Sequence, residues 1–388
     1  MIIITAITLG LFAGLLASGI TIAMGEQIVD TTIRTRLSHI QITHPEFRLE
    51  RDITFNVPNA QDLAQELRGL PRVEAAAPRI LTSAMASSPR TVQGIELVGV
   101  IPEFERELVI IDESIIDGEY FGQQLRYPAV IGDALAERLD VRVGARLVLT
   151  FQDAEGVITG GAFRVRGLFR TPSTEFDRST VYVLADDLAE HLGTDEMLFQ
   201  QVSVLFTSAD AAEAGLAQVE QMAGGMRIET WRQLAPELDY ISETLTVFLY
   251  VFMIVILAAL TFGIVNTMLM VVLERRKEFG MLMAVGMKRS ILFGMIVLET
   301  VVLSITGAAA GMVLSFLVIE LLSITGVDLS LFAQGLREFG VEEILYPQLP
   351  RSMYIVLAVM IIAVAIIAAI LPAHKALKLK PADALRNI

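Results

Sequence analysis

Residues 245–273, LTVFLYVFMIVILAALTFGIVNTMLMVVL, form a run of 29 residues without a charged side chain. The hydrocarbon core of a bilayer is about 30 Å thick, and about 20 apolar helical residues cross it. The run therefore predicts a membrane-spanning helix. At about 1.5 Å per residue it would be roughly 43 Å long, so we expect it to tilt or to extend beyond the lipid.

Three further runs are long enough to cross a bilayer. Residues 2–24 carry no charge, residues 291–322 are interrupted only by Glu299 and Glu320, and residues 353–371 stop at Pro372. Across all 388 residues, 54% are hydrophobic and 19% are charged. A soluble chain carries roughly 25% charged residues, so the composition excludes a single soluble enzyme and a disordered protein.

The first run could also be a cleaved signal peptide. It lacks a basic segment before it, and it is longer than the usual 7–15 apolar residues of such peptides. We therefore expect a helix that is retained.

Charge predicts the orientation of these helices. The loop 274–290 and the tail 373–388 together hold nine Lys or Arg residues against three acids, whereas residues 25–243 hold nineteen Arg, no Lys and thirty-five acids. Short basic loops remain in the cytoplasm. We therefore expect the loop, the tail and both termini inside and residues 25–243 outside.

The net charge of −14 also argues against nucleic acid as a partner.

The long polar segment 25–243 shows mixed periodicities. Residues 38–44, 92–101, 143–151, 162–169, 179–184 and 202–206 are predicted strands, and residues 59–70, 134–139 and 209–222 are predicted helices, the first with Asn59 as N-cap. The order suggests a subdomain that is split in sequence, with a β-rich subdomain inserted near residues 102–192. We thus predict an α-helical membrane protein with four transmembrane helices (1–24, 245–273, 291–322, 353–371) and a large α+β extracytoplasmic domain.

No catalytic motif is present. The chain has no Cys, no Walker nucleotide loop, no H-E-x-x-H and no G-x-S-x-G. His39 and His44 flank a strand on opposite faces, so we interpret them as surface histidines rather than metal ligands. Glu103, Glu105 and Glu107 are interpreted as a solvated edge of an acidic domain rather than a cation site. We predict no enzymatic activity and no bound cofactor.

The basic loop 274–290 is the strongest candidate for a functional segment. Its apolar residues recur at helical spacing between charged ends, which predicts a short amphipathic helix. Such a helix can anchor the loop at the lipid surface or dock a soluble partner, and the residues alone leave both open. The candidate residues are Glu274, Arg275, Arg276, Lys277, Glu278, Phe279, Gly280, Leu282, Met283 and Gly286.

Two polar residues and four glycines stand out within the apolar runs. Glu299 lies inside the third run, where a carboxylate should face a protein neighbour or water; a hydrogen bond across the bundle is favoured over a proton relay. Asn266 lies in the second run. The pairs Gly10-x-x-x-Gly14 and Gly307-x-x-x-Gly311 allow close helix approach in a bundle or at a dimer seam.

Together these features resemble the FtsX-like, or MacB-type, family of ABC transporter permeases. Residues 266–270 (NTMLM), 273–280 (LERRKEFG) and 284–290 (AVGMKRS) are similar to the exit of the second helix and the coupling segment of the family, and Glu299 falls where the family usually carries Glu. The C-terminal segment resembles that of the family at Pro372-Ala-x-x-Ala and at residues 381–386 (PADALR). Residues 163–170 and 177–183 are similar to its inserted subdomain, and residues 38–42 (SHIQI) to the lipoprotein-releasing branch.

The resemblance implies a MacB-like core domain at 25–243 and an FtsX-like permease domain at 244–388. It implies a homo- or heterodimer of permease chains, each paired at the basic loop with a separate ATPase that holds the ATP. It also implies mechanotransmission, in which the ATPases move the helices and the external domains, acting on lipoproteins or other amphiphiles at the inner membrane.

Two positions depart from the family. Relatives usually begin with a basic amphipathic segment, whereas Met1 here abuts the apolar run, and Met283 stands where many relatives carry Arg. Two other functions stay open at this point. One is a regulatory module that acts on an extracytoplasmic partner such as a cell-wall hydrolase, and the other is an ATP-independent receptor or anchor.

Overall fold

A computed structural model describes residues 2–121, 126–194 and 196–377. The chain divides into two compact units. The helical unit comprises Met1–Gly25, Ile241–Leu329 and Ile344–Ile388, and the sheet unit comprises Glu26–Tyr240 with Ser330–Glu343. The predicted ending at 381–386 lies outside the described residues, as do Lys378 and Lys380.

In chain order, the helices are α1 (Ile2–Thr32), α2 (Phe47–Glu50), α3 (Ala60–Leu67), α4 (Pro102–Glu105), α5 (Asp133–Leu139), α6 (Thr174–Ser179), α7 (Ala185–Leu192), α8 (Ala209–Met222), α9 (Trp231–Leu234), α10 (Pro236–Glu274), α11 (Arg276–Ala284), α12 (Arg289–Thr325), α13 (Ala333–Glu338) and α14 (Arg351–Leu377). A π-helical turn, Ile33–Leu37, follows α1, and a 3₁₀ turn, Ser330–Phe332, precedes α13.

The strands are β1 (Ile40–Thr43), β2 (Val73–Ser87), β3 (Val92–Val100), β4 (Ile115–Gly118), β5 (Pro128–Gly132), β6 (Arg146–Gln152), β7 (Ile158–Phe169), β8 (Thr180–Leu184), β9 (Gln201–Phe206), β10 (Arg227–Thr230), β11 (Val327–Asp328) and β12 (Ile344–Leu345).

Four helices, α1, α10, α12 and α14, are long and apolar enough to cross a membrane. Each is apolar around its whole circumference, as expected of a helix surrounded by lipid and other helices. The helices are longer than the apolar runs. For example, α10 begins at Pro236, nine residues before the run 245–273, and its first turn includes polar residues. The fourth run stops at Pro372, but α14 continues through this residue to Leu377. Small neighbours, Ala368, Ala369 and Ala373, surround the proline on the buried face.

The core of the helical unit repeats every third or fourth residue. Ile7, Leu11 and Leu15 of α1 are buried together with residues of the other three long helices, Leu257, Ile264, Leu292, Ile296, Leu357 and Ile361 among them. This spacing aligns one stripe of each helix toward its neighbours. The opposite faces remain exposed, as membrane helices require.

One large sheet organises the sheet unit. Its strand order is β10-β1-β9-β2-β3-β8-β5-β7-β4, and β6 pairs with both β2 and β7. The pairs β3–β8 and β5–β7 are parallel, and the remaining pairs are antiparallel. Because side chains alternate along a strand, the two faces bury separate cores. Ala76 and Ile80 of β2 belong to one core, and Ala75 and Ala77 to the other.

The order of elements agrees with a split subdomain. The strands β1 and β2 with α3 precede the inserted stretch, and β9, α8 and β10 follow it. The sequence did not predict that the inserted strands would join the same sheet, which they do through the pairs β3–β8 and β2–β6. Asn59 does precede α3, but it has a left-handed backbone (φ 50°) and its side chain makes no capping hydrogen bond. Asn59 thus occupies the predicted N-cap position but does not cap α3 through its side chain.

Candidate functional site

The basic loop contains one helix held between two sharp turns. The chain leaves the helical conformation at Arg275, forms α11, and turns again at Gly286. There the N–H of Met287 donates to the carbonyl of Leu282, and the N–H of Gly286 donates to that of Met283, which is a Schellman motif. Gly286 has φ +101°, a conformation that side chains strongly disfavour. The glycine thus fixes the path from α11 into α12.

The apolar face of α11, which the sequence offered as a docking face, packs against the chain's own core. Phe279 is 0% exposed and belongs to the core of the helical unit, and Leu282 and Met283 pack against the same core. The exposed large residues are Met281 (58%) and Val285 (85%). The largest apolar side chain of the loop thus faces inward, where Phe279 supports the position of α11. Gly280 is also buried.

The charged residues of the loop are partly paired. Arg275 Nε donates to Glu278 at 2.8 Å, and Arg275 Nη1 donates to both carboxylate oxygens of Glu299 at 3.3 and 3.4 Å. The Arg275 guanidinium also lies 5.3 Å from the centre of the Phe279 ring. Glu274 and Lys277 are exposed, and Arg276 is half-buried. One arginine thus connects the start of α11 to α12.

The glycine pairs form seams within this chain. A Cβ added to Gly10 or Gly14 would meet Leu260 at 2.9 Å or Ile256 at 2.8 Å, both on α10. At Gly311 it would meet the backbone oxygen of Thr8 on α1 at 2.9 Å.

Gly307 belongs to the same seam with α1. A Cβ there would meet Ile7 at 3.0 Å, and the Thr8 hydroxyl donates to the Gly307 carbonyl at 3.0 Å. Both glycine motifs therefore serve packing of α1 against its neighbours. Asn266, by contrast, is exposed on α10.

In the sheet unit, Arg337 forms a contact that the sequence did not indicate. Its guanidinium Nη2 lies 3.3 Å from an oxygen of Asp177 and 3.6 Å from one of Asp133. Asp177 is fully buried, and burial raises the pKa of its carboxyl to about 7, although hydrogen bonds from Thr171 and the charge of Arg337 oppose the rise. The segment Ser330–Glu343, which follows α12 in the chain, is thereby fixed to the sheet unit.

Two residues interpreted as surface groups are buried. Glu105 is 0% exposed and accepts hydrogen bonds from Arg79 at 2.6–3.2 Å, so it is no part of a solvated edge. His39 is also buried, and its Nδ1 accepts from the N–H of Phe206. Burial lowers the pKa of His39 to about 4. Among the residues that the structure describes, no three His, Asp or Glu side chains form a group that could hold a metal ion.

Two family profiles match the chain. The MacB-like periplasmic core domain matches residues 1–222, and the C-terminal domain of FtsX-like permeases matches residues 250–381. The first of these covers more than half of the chain.

Individual relatives are distant. An uncharacterized ABC transporter permease of Methanocaldococcus jannaschii is 26% identical over 54% of this chain and 52% of its own length. The lipoprotein-releasing system transmembrane protein LolC of Xylella fastidiosa is 23% identical over 81% of this chain and 78% of its own length. The periplasmic region of MacB from Actinobacillus actinomycetemcomitans superposes with a TM-score of 0.36 at 14% identity, covering 55% of this chain and 95% of that structure. The chain spans about half the length of several curated relatives that it matches.

Proposed function

The chain belongs to the ABC transporter permeases of the FtsX and MacB type, and on this premise we propose that it works by mechanotransmission with a separate ATPase. It is a membrane protein with an extracytoplasmic domain, and this family consists of permease components rather than enzymes. The basic loop is the proposed binding site for the ATPase, and a second permease chain completes the transporter.

The observation that carries this proposal is the continuity of α10. This single helix of 39 residues begins at Pro236, within the sheet unit, and ends at Glu274, next to the basic loop. At about 1.5 Å per residue it is roughly 58 Å long. A helix without a break transmits displacement along its axis, so movement of the basic loop reaches the sheet unit through covalent structure.

Two further chain connections lead from long helices into the sheet unit. The helix α1 leads through the π-helical turn Ile33–Leu37 almost directly into β1. The segment after α12 is fixed within the sheet unit by Arg337. Three of the four long helices are thus tied to the sheet unit by short chain segments or ion pairs.

The proposed substrates are lipoproteins or other amphiphiles, extracted at the outer face of the bacterial inner membrane. The similarity to LolC over 81% of this chain supports this class. The concentration of all five lysines in the loop and tail supports an orientation with both termini and the basic loop in the cytoplasm. Neither the sheet unit nor the loop requires a cofactor in this account, since ATP is bound by the partner.

An insertion experiment tests the proposal. Two glycines inserted after Tyr240 interrupt α10, and the same insertion after Pro89, in the exposed turn between β2 and β3, serves as the control. Each full-length variant is reconstituted in nanodiscs with its ATPase, and ATP hydrolysis and release of a fluorescent triacylated lipopeptide are measured.

We expect the α10 insertion to keep hydrolysis and to lose release, while the control keeps both. Release at the wild-type rate by the α10 variant would contradict mechanotransmission. Stimulated hydrolysis without lipopeptide release in the wild type would contradict extraction as the activity and favour a regulatory module.

A further inference from the structure

A polar cavity of about 210 Å³ lies on one face of the sheet unit. That volume equals about seven waters at roughly 30 Å³ each. The wall is built by the end of α1 and its π-helical turn, by α2, α6 and α9, by the five strands β1, β2, β3, β8 and β9, and by the start of α10, all within the sheet unit. Residues from these separate elements converge on it, so anything bound there contacts both helices and the sheet.

Arginines are concentrated around this cavity although the surrounding domain is acidic. Arg79 lies buried in its wall, and Arg36, Arg48 and Arg51 are exposed around it. Two acids, Glu96 and Glu237, also line it. Four arginines against two carboxylates contrast with residues 25–243 as a whole, where acids outnumber arginines by thirty-five to nineteen.

Three of these arginines already have a carboxylate partner. Arg79 pairs with Glu105, Arg51 Nη1 lies 3.2 Å from Glu96, and Arg48 Nη1 lies 3.1 Å from Glu229. Each guanidinium has five N–H donors, so one carboxylate leaves donors unused. Among the described residues, Arg36 forms no ion pair. Glu237 also lines the cavity and has no ion pair in the part of the chain that the structure describes, so the charges around the cavity balance and its surplus lies in guanidinium N–H donors.

A buried hydroxyl in the wall also lacks a partner. Thr43 is 5% exposed, and its Oγ1 forms no hydrogen bond with any residue that the structure describes. Leaving such a group unsatisfied is unfavourable, because it has given up its hydrogen bonds to water. The phenol of Tyr182 lines the same cavity, and burial raises its pKa, so it remains protonated and able to donate. A ligand with several acceptor oxygens would satisfy these donors.

We propose that this cavity binds an oxyanion of the phosphate class. Donors reach the cavity from helix, turn and strand, so they surround the ligand from several directions. A tetrahedral phosphate presents three or four oxygens to such a set, whereas a carboxylate presents two in one plane. The phosphate can be free in solution or part of a lipid headgroup. Bound there, it would hold the ends of α1 and α10 to the sheet.

Calorimetric titration of the full-length chain in nanodiscs, without an ATPase, tests this site. The probes are inorganic phosphate and dihexanoyl phosphatidic acid. The variants are Arg36→Gln and Thr43→Val, which leave the buried Arg79–Glu105 pair intact. Arg142→Gln is the matched control, because Arg142 is exposed and does not line the cavity.

We expect saturable binding that weakens at least tenfold in Arg36→Gln, weakens measurably in Thr43→Val and is unchanged in Arg142→Gln. Binding of both probes would show that a free phosphate is sufficient to occupy the site. Binding of phosphatidic acid alone would show that the ligand is the phosphate of a lipid headgroup. Failure of both probes to bind, or equal binding by Arg36→Gln and wild type, would overturn the proposal. Because no ATPase is present, that failure is separate from failure of the transport function.

Discussion

Arg275 and Glu299 form an ion pair between the start of α11 and the interior of α12, with Nη1 3.3 and 3.4 Å from the two carboxylate oxygens. In the sequence the two residues stand out for unrelated reasons, Arg275 as part of a basic loop and Glu299 as a carboxylate in an apolar run. Their contact explains how Glu299 is accommodated. It also ties the basic loop to the helix that follows it.

We expect Glu299→Gln to preserve assembly and transport, because the amide oxygen can still accept from Arg275. Both side chains are over one-third exposed, and pairs of this kind contribute about 0–1 kcal/mol. Glu299→Leu leaves Arg275 without this partner and should lower coupling to the ATPase. Thermal unfolding and transport in nanodiscs check both. Loss of transport by an assembled Glu299→Gln variant would indicate a proton-linked role instead.

Gly311 lies in the contact between α1 and α12, whereas Gly294 of α12 lies away from it. We therefore expect substitution by Ala to have opposite effects on stability at these two positions. Gly311→Ala places a Cβ 2.9 Å from the Thr8 carbonyl oxygen, and such overpacking destabilises by about 1–3 kcal/mol. Gly294→Ala meets nothing within 4 Å and should stabilise by up to about 1 kcal/mol through helix propensity. Denaturation in detergent measures both, and equal effects would contradict the seam.

The buried pair Arg79–Glu105 predicts a large effect of a small change. Glu105→Gln leaves the Arg79 charge uncompensated in the interior, which destabilises by about 3–5 kcal/mol. Glu103→Gln is the control, because Glu103 is exposed two residues away. Chemical denaturation of the full chain compares the two. A Glu105→Gln variant as stable as the control would show that the pair is not buried in solution.

Asp177 and His39 should give stability opposite dependences on pH. The folded pKa of Asp177 is raised to about 7, so folded Asp177 keeps a proton that the unfolded chain loses, and stability falls as pH rises from about 4 to 7. The folded pKa of His39 is lowered to about 4, chiefly by burial, so stability falls as pH drops from 6.5 to 4.

Variants separate these two contributions. Asp177→Asn should make stability rise more steeply with pH between 4 and 7, and His39→Gln should make it rise less steeply or fall. Unfolding midpoints measured from pH 4 to 8 provide the slopes. Wild-type slopes in both variants would contradict the burial of these groups.

From the sequence we could predict the elements of the fold that depend on composition and on local residue patterns. Long apolar runs located the four long helices, and alternation located β1, β3 and β8 within one or two residues, because burial on one face imposes that period. Segment 209–222 coincides with α8, whose N-cap Ser208 accepts from Ala211 as such residues do.

The sequence could not predict which polar residues meet across the fold. Glu105 alternates with Glu103 and Glu107, and its burial depends on Arg79, 26 residues earlier. Arg337 and Asp177 are 160 residues apart. Phe279 has the helical spacing of a docking face, but that same spacing suits packing against the chain's own helices. An amphipathic pattern indicates that one face is covered, and it does not indicate by what.

The exposed face of α11 provides the most direct test of the central claim that the basic loop receives an ATPase. Val285→Asp adds a charge at a site that is 85% exposed in this chain, so folding should be unaffected, whereas burying that charge against a partner costs several kcal/mol. Val148→Asp, an exposed valine of the sheet unit, is the control. The measurement is permease-stimulated ATP hydrolysis by the cognate ATP-binding subunit, titrated against each full-length variant in nanodiscs. The account predicts at least a tenfold loss of apparent affinity for Val285→Asp and none for Val148→Asp. Wild-type stimulation by Val285→Asp would contradict it and leave the basic loop as a helix on the lipid surface.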